Sequence, residues 1–545
     1  MTSLKPSRQI MIWLFQAWKP CRTQSLLNVA LGVMIVLIDL AFVWATKLCI
    51  DIATRTNTHW HLKSALAILI TLLATQLLLS YASRWIKAIL GARATCKMQS
   101  HHYEHLLQAD WVALKNYHTG DILNRLEKDV DTLVVFLTES VPAFLTTLLR
   151  LLGAFVLLYI MNRTLAWIIA IIFPLFLLIS KLYVSRTRRL TQAIRASESQ
   201  MQTAIQEGLQ HITVIKVFQK AAHATQVLAQ TQDIFKTHVR HKTRYSSLSS
   251  LTMNLGFTAG YIFTFGWGVV SLESGVITYG ALIAFMQLVG QIQVPIRSLS
   301  RYIPLSINAL TAGERLMELQ KIAQEHIAPC PTLAGSVGIR LHDVCFSYDK
   351  SSPILQHFSY DFPPGSKTAI IGETGKGKTT LIRLMLSLLR PQAGILEIYN
   401  AQTHLPLTGL SRDNFSYVPQ GNTLLNGTVR SNLLLGNEHA TDAEMQKALH
   451  AACADFVLQS TDGLDMKCGE GGNSLSEGQA QRISIARALL KPCNILILDE
   501  ATSSLDNKTE SMVVSNLMQA FPGKTMVIVT HRPEILKYCT HTLHL

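Results

Sequence analysis

The chain is 545 residues long, which exceeds one ordinary hydrophobic core and indicates at least two domains. Hydrophobic residues make up 49% of it and charged residues only 15%, so much of the chain is expected to lie outside water, because soluble proteins carry about 25% charged residues. The net charge of +14 divides into +15 over residues 1–330 and −1 over 331–545. Since the excess belongs to the apolar half, it indicates membrane topology and no nucleic-acid partner.

The apolar half predicts an interfacial helix followed by six membrane spans. Residues 5–22 mix Trp, Phe and Ile with Lys and Arg, which is typical of a helix lying along a membrane surface. Each of the six apolar stretches that follow approaches the roughly 20 residues needed to cross a bilayer. They lie at 25–48, 63–88, 134–160, 164–185, 247–272 and 277–300, with short turns near 162–163 and 273–275.

The two longer connections between spans are basic. Seven Lys and Arg residues lie from Arg84 to Lys128 and eleven from Lys181 to Arg244, whereas the short loops carry almost none. By the positive-inside rule, the N-terminus, both long loops and everything after residue 300 are expected to be cytoplasmic. The helical periodicity of both loops predicts that the membrane helices have long cytoplasmic extensions.

Residues 1–324 are therefore a predicted α-helical transmembrane domain, and residues 338–545 a second domain. Pro329, Pro331 and Gly335 break the pattern between them, so 325–337 is interpreted as a linker. Beyond it, apolar strands alternate with glycine turns and helices, which predicts an α/β domain with a buried sheet. The predicted strands include Lys367–Ile371, Phe415–Val418, Ile495–Leu498 and Met526–Val529.

The strongest motif follows the first of these strands and reads GETGKGKT from Gly372 to Thr379. A glycine-rich turn between a strand and a helix, here predicted over Leu381–Leu389, is typical of a phosphate-binding P-loop. Backbone N–H groups and the helix N-terminus attract phosphates, Lys378 reaches the β and γ phosphates, and the Thr379 hydroxyl can ligate Mg²⁺. The predicted ATP-binding residues of the motif are Gly372, Glu373, Thr374, Gly375, Lys376, Gly377, Lys378, Thr379 and Thr380.

Two carboxylates end the predicted strand at Ile495–Leu498. Asp499 is expected to hold Mg²⁺, and Glu500 is placed to polarise the attacking water as a general base. Alone, this pattern is a weak signal, but downstream of a P-loop it becomes a strong one.

Between these motifs, LSEGQAQR at Leu475–Arg482 resembles the signature sequence of ATP-binding cassette (ABC) ATPases. The resemblance implies that Tyr348 stacks on adenine, that Gln420 senses Mg²⁺ and contacts the membrane domain, and that His531 is the switch histidine near the γ phosphate. It further implies that Ser476, Gly478, Gln479 and Asp506 help to bind nucleotide across a pair of cassettes. The implied catalytic set is Glu500, His531 and Gln420, and the implied Mg²⁺ ligands are Thr379, Gln420 and Asp499.

The membrane half is similar to that of ABC exporters. Residues 111–131 resemble the first cytoplasmic loop of that family, with a coupling helix around 112–118, and residues 207–220 resemble the second. Three features depart from the family: Glu477 replaces the usual glycine, 469–472 lacks an arginine common in exporters, and little chain follows His531. Glu477 either faces the partner's γ phosphate or points outward and caps its own helix.

Four of the polar residues within the predicted spans are singled out, since a polar group is costly there and therefore informative. Asp39 and Arg150 lie well inside the first and third spans, and Gln287 and Gln291 share a face of the sixth. They either pair with one another or with the backbone to fix helix packing, or line a polar cavity for a substrate headgroup.

The resemblance implies a half-transporter, in which one chain supplies one membrane domain and one cassette. A complete ATP site then needs a second half-transporter, and a homodimer is favoured over a heterodimer. ATP and Mg²⁺ are the expected ligands, and the expected activity is ATP-driven export or flipping of an amphiphile (a lipid, peptide or drug) by alternating access. The expected location is a bacterial inner membrane with the N-terminus and ATPase domain cytoplasmic. An ATP-gated channel or a transport regulator is the alternative function.

Overall fold

The computed structural model describes residues 8–56, 60–325, 331–348, 353–373, 375–469 and 474–545. The chain divides into two compact units, one formed by Met1–Tyr103 with Gly120–Gln320 and the other by Glu104–Thr119 with Lys321–Leu545. The predicted linker falls in the second unit, and its residues 326–330 lie outside the described ranges.

Long helices build the first half of the chain. They are α1 (Arg8–Trp18), α2 (Arg22–Ala53), α3 (Leu62–Leu107), the short α4 (Trp111–Lys115), α5 (Thr119–Met161), α6 (Arg163–Gln210), the short α7 (Ile212–Val217), α8 (Ala221–Glu273) and α9 (Tyr279–Gln320). Within the described residues, α2, α3, α5, α8 and α9 are long and apolar enough to cross a membrane. The fourth predicted span, 164–185, lies in α6, where most side chains from 173 to 185 are outside the described residues.

The breaks between these helices fall where the sequence predicts them. Asn162 leaves the helical conformation, and its side-chain oxygen accepts a hydrogen bond from Leu165 N at 2.9 Å, which caps α6. Gly275, with φ of +73°, follows the end of α8. The predicted coupling helix around 112–118 is shorter than expected, because α4 ends at Lys115.

Two apolar clusters hold the first unit together. One lies where α2, α5, α6, α8 and α9 meet, around Leu158, Leu165, Phe285 and Leu288. The other joins the inner face of α1 to α3, α5 and α9 through Met98, Leu133 and Leu316. The predicted interfacial helix therefore packs one face on the helical unit, while Ile12 and Phe15 on its other face are exposed.

Among the described residues of the second unit, nine strands form two sheets. They are β1 (Gly338–Ser347), β2 (Pro353–Phe362), β3 (Lys367–Ile371), β4 (Ala393–Tyr399), β5 (His404–Pro406), β6 (Phe415–Val418), β7 (Ile495–Asp499), β8 (Thr525–Val529) and β9 (His541–His544). An antiparallel sheet has the order β2-β1-β4-β5, and a parallel sheet has the order β6-β7-β8-β3-β9. The predicted α/β domain with a buried sheet is confirmed.

The register of the parallel sheet decides which residues meet at its edge. Ile497 pairs with Val527, and Ala369 pairs with Ile528, so β3, β7 and β8 end at the same level. Every residue of β7 and β8 is buried, as expected for strands covered on both faces. The P-loop, the Asp499 carboxylate and the segment leading to His531 therefore all lie at the carboxyl edge of this sheet.

The α-helices that the structure describes after the linker are α10 (Lys378–Met385), α11 (Val429–Leu434), α12 (Asp442–Ala451), α13 (Asp455–Leu458), α14 (Glu477–Leu490) and α15 (Asn507–Ala520). The predicted helix at Leu381–Leu389 is misplaced, because α10 begins at Lys378 and ends at Met385. The chain turns at Ser387, whose φ is +54°, while the apolar side chains of 386 and 389 stay buried in the core. The apolar periodicity continues through this turn, which is why the sequence overextends the helix.

Candidate active site

The P-loop has the backbone geometry that phosphate binding requires. Gly375 and Gly377 have φ of +90° and +99°, in the left-handed region that favours glycine. Lys378 begins α10 and is buried, and its Nζ donates a hydrogen bond to Gly372 O at 2.5 Å. The side chain of Thr380 is buried behind it, whereas the predicted contact at Thr374 lies outside the described residues.

Four predicted catalytic or phosphate-binding side chains meet at the carboxyl edge of the parallel sheet. Lys378 Nζ lies 2.8 Å from His531 Nε2, and that same ring nitrogen lies 3.2 Å from Glu500 Oε1. Gln420 Nε2 donates a hydrogen bond to Glu500 Oε2 at 2.8 Å. The four side chains form one continuous polar chain, although they come from four separate segments of the sequence.

Glu500 is held in an unusual backbone conformation, with φ of +49° directly after β7. A non-glycine residue in this region is costly, and such strain often marks functional sites. The turn aims its carboxylate at Gln420 and His531 and away from the buried strand. This carboxylate is therefore positioned to accept a proton from a water molecule at the sheet edge.

Asp499 lies deeper, as the last residue of β7, and is almost fully buried. Burial raises the pKa of its carboxyl, while the hydrogen bond from the Tyr417 hydroxyl at 3.2 Å and the nearby Arg383 and Lys378 charges oppose that rise. Carboxylate and hydroxyl oxygens are the hard ligands that Mg²⁺ prefers. Asp499 and Thr379 therefore suit a metal chemically, on donor type and location.

The predicted signature residues begin helix α14. Ser476 Oγ accepts a hydrogen bond from Gln479 N at 3.3 Å, and Gln479 Oε1 accepts one from Ser476 N at 2.9 Å, which forms a capping box. Glu477 occupies the first turn and is exposed, so Ser476 and Gln479 make the cap and Glu477 contributes only its charge. The departure expected at 469–472 lies mainly outside the described residues.

The signature helix packs against the loop that precedes α15. A Cβ at Gly478 would lie 2.9 Å from Ser504 O, so only glycine fits without a shift. Asp506 caps α15 by accepting a hydrogen bond from Thr509 N at 3.1 Å, and the Thr509 side chain together with this backbone bond lowers the pKa of Asp506. In the described part of the chain, no hydrogen bond joins Ser476, Gly478 or Gln479 to the P-loop.

Tyr348, the predicted adenine-stacking residue, has two cationic neighbours that sequence reasoning missed, Arg383 and Lys115. Arg383 Nη1 donates a hydrogen bond to the Tyr348 hydroxyl at 3.1 Å. The Arg383 guanidinium also lies 4.9 Å from the centre of the Trp111 ring, which belongs to α4. Lys115 Nζ lies 5.4 Å from the Trp111 ring and 6.0 Å from the Tyr348 ring. The predicted coupling helix and the adenine-stacking residue are thus joined by cations and rings within one unit.

The intramembrane polar residues are brought together by the first unit. Arg150 forms an ion pair with Asp39, and Gln76, which the sequence did not single out, also donates a hydrogen bond to Asp39. Gln291 Nε2 donates to the backbone oxygen of Asp39 at 3.4 Å. The side-chain oxygens of Gln287 and Gln291 are buried and have no hydrogen-bond partner among the described residues. The geometry favours the interpretation of pairing that fixes helix packing for Asp39 and Arg150.

The fold and site together define an integral, multi-pass membrane protein with a fused P-loop nucleotide-binding domain. The profile of the ABC transporter transmembrane region matches residues 25–296, and the ABC transporter profile matches residues 355–503. The chain therefore belongs to the ABC transporter family, as an exporter whose ATP hydrolysis is coupled to transport, and the resemblance seen in the sequence is confirmed.

Relatives and a solved structure agree with this assignment. The uncharacterized ABC transporter ATP-binding protein YknV of Bacillus subtilis is 28% identical over 487 residues, covering 86% of this chain and 79% of YknV. The fatty acid ABC transporter ATP-binding/permease protein of Mycobacterium bovis is 28% identical over 427 residues, covering 78% of this chain and 68% of that protein. The structure of a bacterial Atm1-family ABC exporter with ATP bound is similar at a TM-score of 0.75 and 22% identity, covering 95% of this chain and 93% of that one.

Proposed function

We propose that this chain is one half of a dimeric exporter that moves an amphiphile across a bacterial inner membrane. The observation that carries the proposal is the polar chain of Lys378, His531, Glu500 and Gln420 at one sheet edge. The signature residues have no hydrogen bond to that edge within the described chain, which supports a site completed by the signature of a second copy. A homodimer is favoured over a pair of different half-transporters.

Each side chain at the sheet edge has a task in ATP hydrolysis. The Lys378 ammonium binds the β and γ phosphates in place of its present acceptor, Gly372 O. Glu500 accepts the proton of the attacking water, while Gln420 and His531 orient its carboxylate and the γ phosphate. Asp499 and Thr379 would hold Mg²⁺, which supplies positive charge to the phosphates. Tyr348 stacks on adenine, and Ser476, Gly478, Gln479 and Asp506 bind nucleotide across the dimer.

The substrate class follows from composition and from a relative. Within the apolar bundle, the buried side-chain oxygens of Gln287 and Gln291 have no hydrogen-bond partner among the described residues, which suits a molecule with a polar head and an apolar body. A relative from Mycobacterium bovis bears the name of a fatty acid transporter, and a fatty acid is an amphiphile. The excess of Lys and Arg in the two long loops supports a cytoplasmic ATPase domain and N-terminus.

The proposal is tested with the full chain in proteoliposomes, by measuring ATP turnover, nucleotide retention and accumulation of a fluorescent amphiphile. Lys378→Ala is expected to abolish ATP turnover by removing the phosphate-binding cation. Glu500→Gln is expected to retain ATP in a closed dimer and to stop both hydrolysis and accumulation. Glu534→Gln, which removes an exposed carboxylate elsewhere in the same domain, is the matched control and is expected to behave as wild type.

Three outcomes would contradict parts of this proposal. Hydrolysis by Glu500→Gln near the wild-type rate would show that Glu500 is not the general base. ATP turnover by a strictly monomeric chain would remove the shared site. Dissipation of a substrate gradient on ATP addition, in place of accumulation against it, would identify an ATP-gated channel.

A further inference from the structure

A cavity of about 480 Å³ lies in the first unit, between α1, the start of α2, the far half of α3 and the end of α9. Its volume falls within the roughly 300–1,000 Å³ range typical of small-molecule sites. The Trp13 indole forms one wall and is fixed by a hydrogen bond from its Nε1 to Gln320 Oε1 at 2.6 Å. None of the residues proposed for ATP hydrolysis or for the intramembrane polar cluster lines this cavity.

The α3 side of the cavity is basic. Arg93, Lys97 and His101 all line it, and their spacing of four residues places them on one face of the helix. No Asp or Glu is among the described lining residues. In the described part of the chain, neither Arg93 nor Lys97 forms an ion pair with a carboxylate. The cavity therefore presents an uncompensated positive charge to whatever enters it.

Apolar side chains complete the lining of the cavity. Trp13 and Ala17 of α1 and Ala94 and Met98 of α3 line it, and the same residues belong to the apolar cluster that joins α1 to α3, α5 and α9. On the outer face of α1, Ile12 and Phe15 are 51% and 60% exposed, as expected where a helix rests in lipid. A ligand in this cavity therefore meets both cations and hydrocarbon.

We propose that this cavity binds the phosphate-bearing headgroup of an anionic lipid from the leaflet on which α1 lies. The phosphate lies between Arg93 and Lys97, and the glycerol and the first acyl carbons pack on Trp13 and Met98. A soluble phosphate ester shares the charge but has no apolar part for the Trp13 wall. The proposal rests on membrane association and is independent of the transported substrate.

Binding is measured with the full chain in neutral detergent, by native mass spectrometry with phosphatidylglycerol, phosphatidylcholine, glycerol 3-phosphate and inorganic phosphate as separate probes. Phosphatidylglycerol is expected to bind more tightly than the other three. Since one basic residue near a membrane surface contributes about 1 kcal/mol, the double variant Arg93→Gln/Lys97→Gln is expected to lose roughly 25-fold in affinity. A photoactivatable phosphatidylglycerol is expected to cross-link to the peptide containing Trp13.

The matched control is Arg84→Gln/Lys87→Gln, which removes two cations from the same helix outside the cavity. Equal loss of affinity in both double variants would overturn the site in favour of unspecific attraction to basic helices. Equal binding of phosphatidylcholine would overturn the charge argument. Glycerol 3-phosphate binding as tightly as the lipid would assign the cavity to a soluble ester. Unchanged thermal unfolding and basal ATPase in both variants would show that any loss is not one of folding.

Discussion

The ion pair between Asp39 and Arg150 predicts a strong energetic coupling between α2 and α5. The Asp39 side chain is only 10% exposed and that of Arg150 is 31% exposed, so neither charge is well solvated if its partner is removed. Gln76 still donates to the Asp39 carboxylate when Arg150 is replaced, but an amide carries no compensating charge. The perturbation is therefore a cycle of Asp39→Asn, Arg150→Met and the double variant.

The expected magnitudes differ between the single and double changes. Arg150→Met leaves a carboxylate in an apolar bundle, and insertion scales put a lone charge at the centre of a membrane helix at roughly 2.5–3.5 kcal/mol. The double variant loses only a polar contact between membrane helices, which averages about 0.6 kcal/mol. We therefore expect each single change to lower the free energy of unfolding by about 2 kcal/mol and the double change by about 1 kcal/mol, a coupling of roughly 3 kcal/mol.

The assay is reversible unfolding of the full chain in mixed micelles, followed by helicity, with basal ATPase as a test of the native state. Additive losses in the double variant would refute the reasoning, because additivity means that the two charges do not stabilise each other. A second outcome is equally decisive. If Arg150→Met keeps the free energy of unfolding but abolishes stimulation of ATPase by anionic amphiphiles, Arg150 belongs to a substrate cavity.

Three further predictions concern the ATPase unit. Because burial raises the pKa of Asp499, its charge destabilises the folded state at neutral pH; Asp499→Asn is expected to raise Tm while abolishing hydrolysis, and a lower Tm would contradict this. Arg383→Met removes the hydrogen bond to Tyr348, so the KM for ATP is expected to rise about 2- to 10-fold, and a fall in kcat alone would argue against it. Glu477→Gly is expected to leave the KM for ATP unchanged and to lower the free energy of unfolding by about 0.3–1 kcal/mol, because the exposed carboxylate interacts favourably with the N-terminus of α14. A several-fold, salt-sensitive fall in KM would show instead that Glu477 faces phosphate.

The sequence predicts the parallel sheet well because its strands are buried on both faces. β3 and β6 have the predicted bounds, and β7 and β8 each extend by one residue, since an apolar run between polar turns has few other interpretations. Most of the candidate site can be predicted once these strands are known, because the carboxyl ends of parallel strands lie at one edge of the sheet.

Contacts between distant segments could not be predicted in the same way. Nothing local in the sequence brings Trp111 to Arg383, because their approach depends on the packing of a loop and a helix from separate halves of the chain. The sequence leaves the partner of Arg150 open, and packing decides it by placing the Asp39 carboxylate, which also accepts a hydrogen bond from Gln76, beside Arg150. The end of α10 was missed for a related reason, since the core and not the local pattern decides where the chain turns.

The segment Glu104–Thr119 belongs by its contacts to the ATPase unit, although it is translated before most of the helical unit. The roughly 260 residues from Thr119 to Arg383 take about 15–50 s to synthesise at typical rates of elongation. During that interval neither Arg383 nor the core of the cassette has been synthesised, so these groups cannot cover the Trp111 ring in the nascent chain. Folding of this transporter therefore has an order. The cassette is complete only after it has packed against Glu104–Thr119, a segment that is synthesised earlier. A chaperone that shields aromatic loops, or slow decoding before the P-loop, would act on that waiting period.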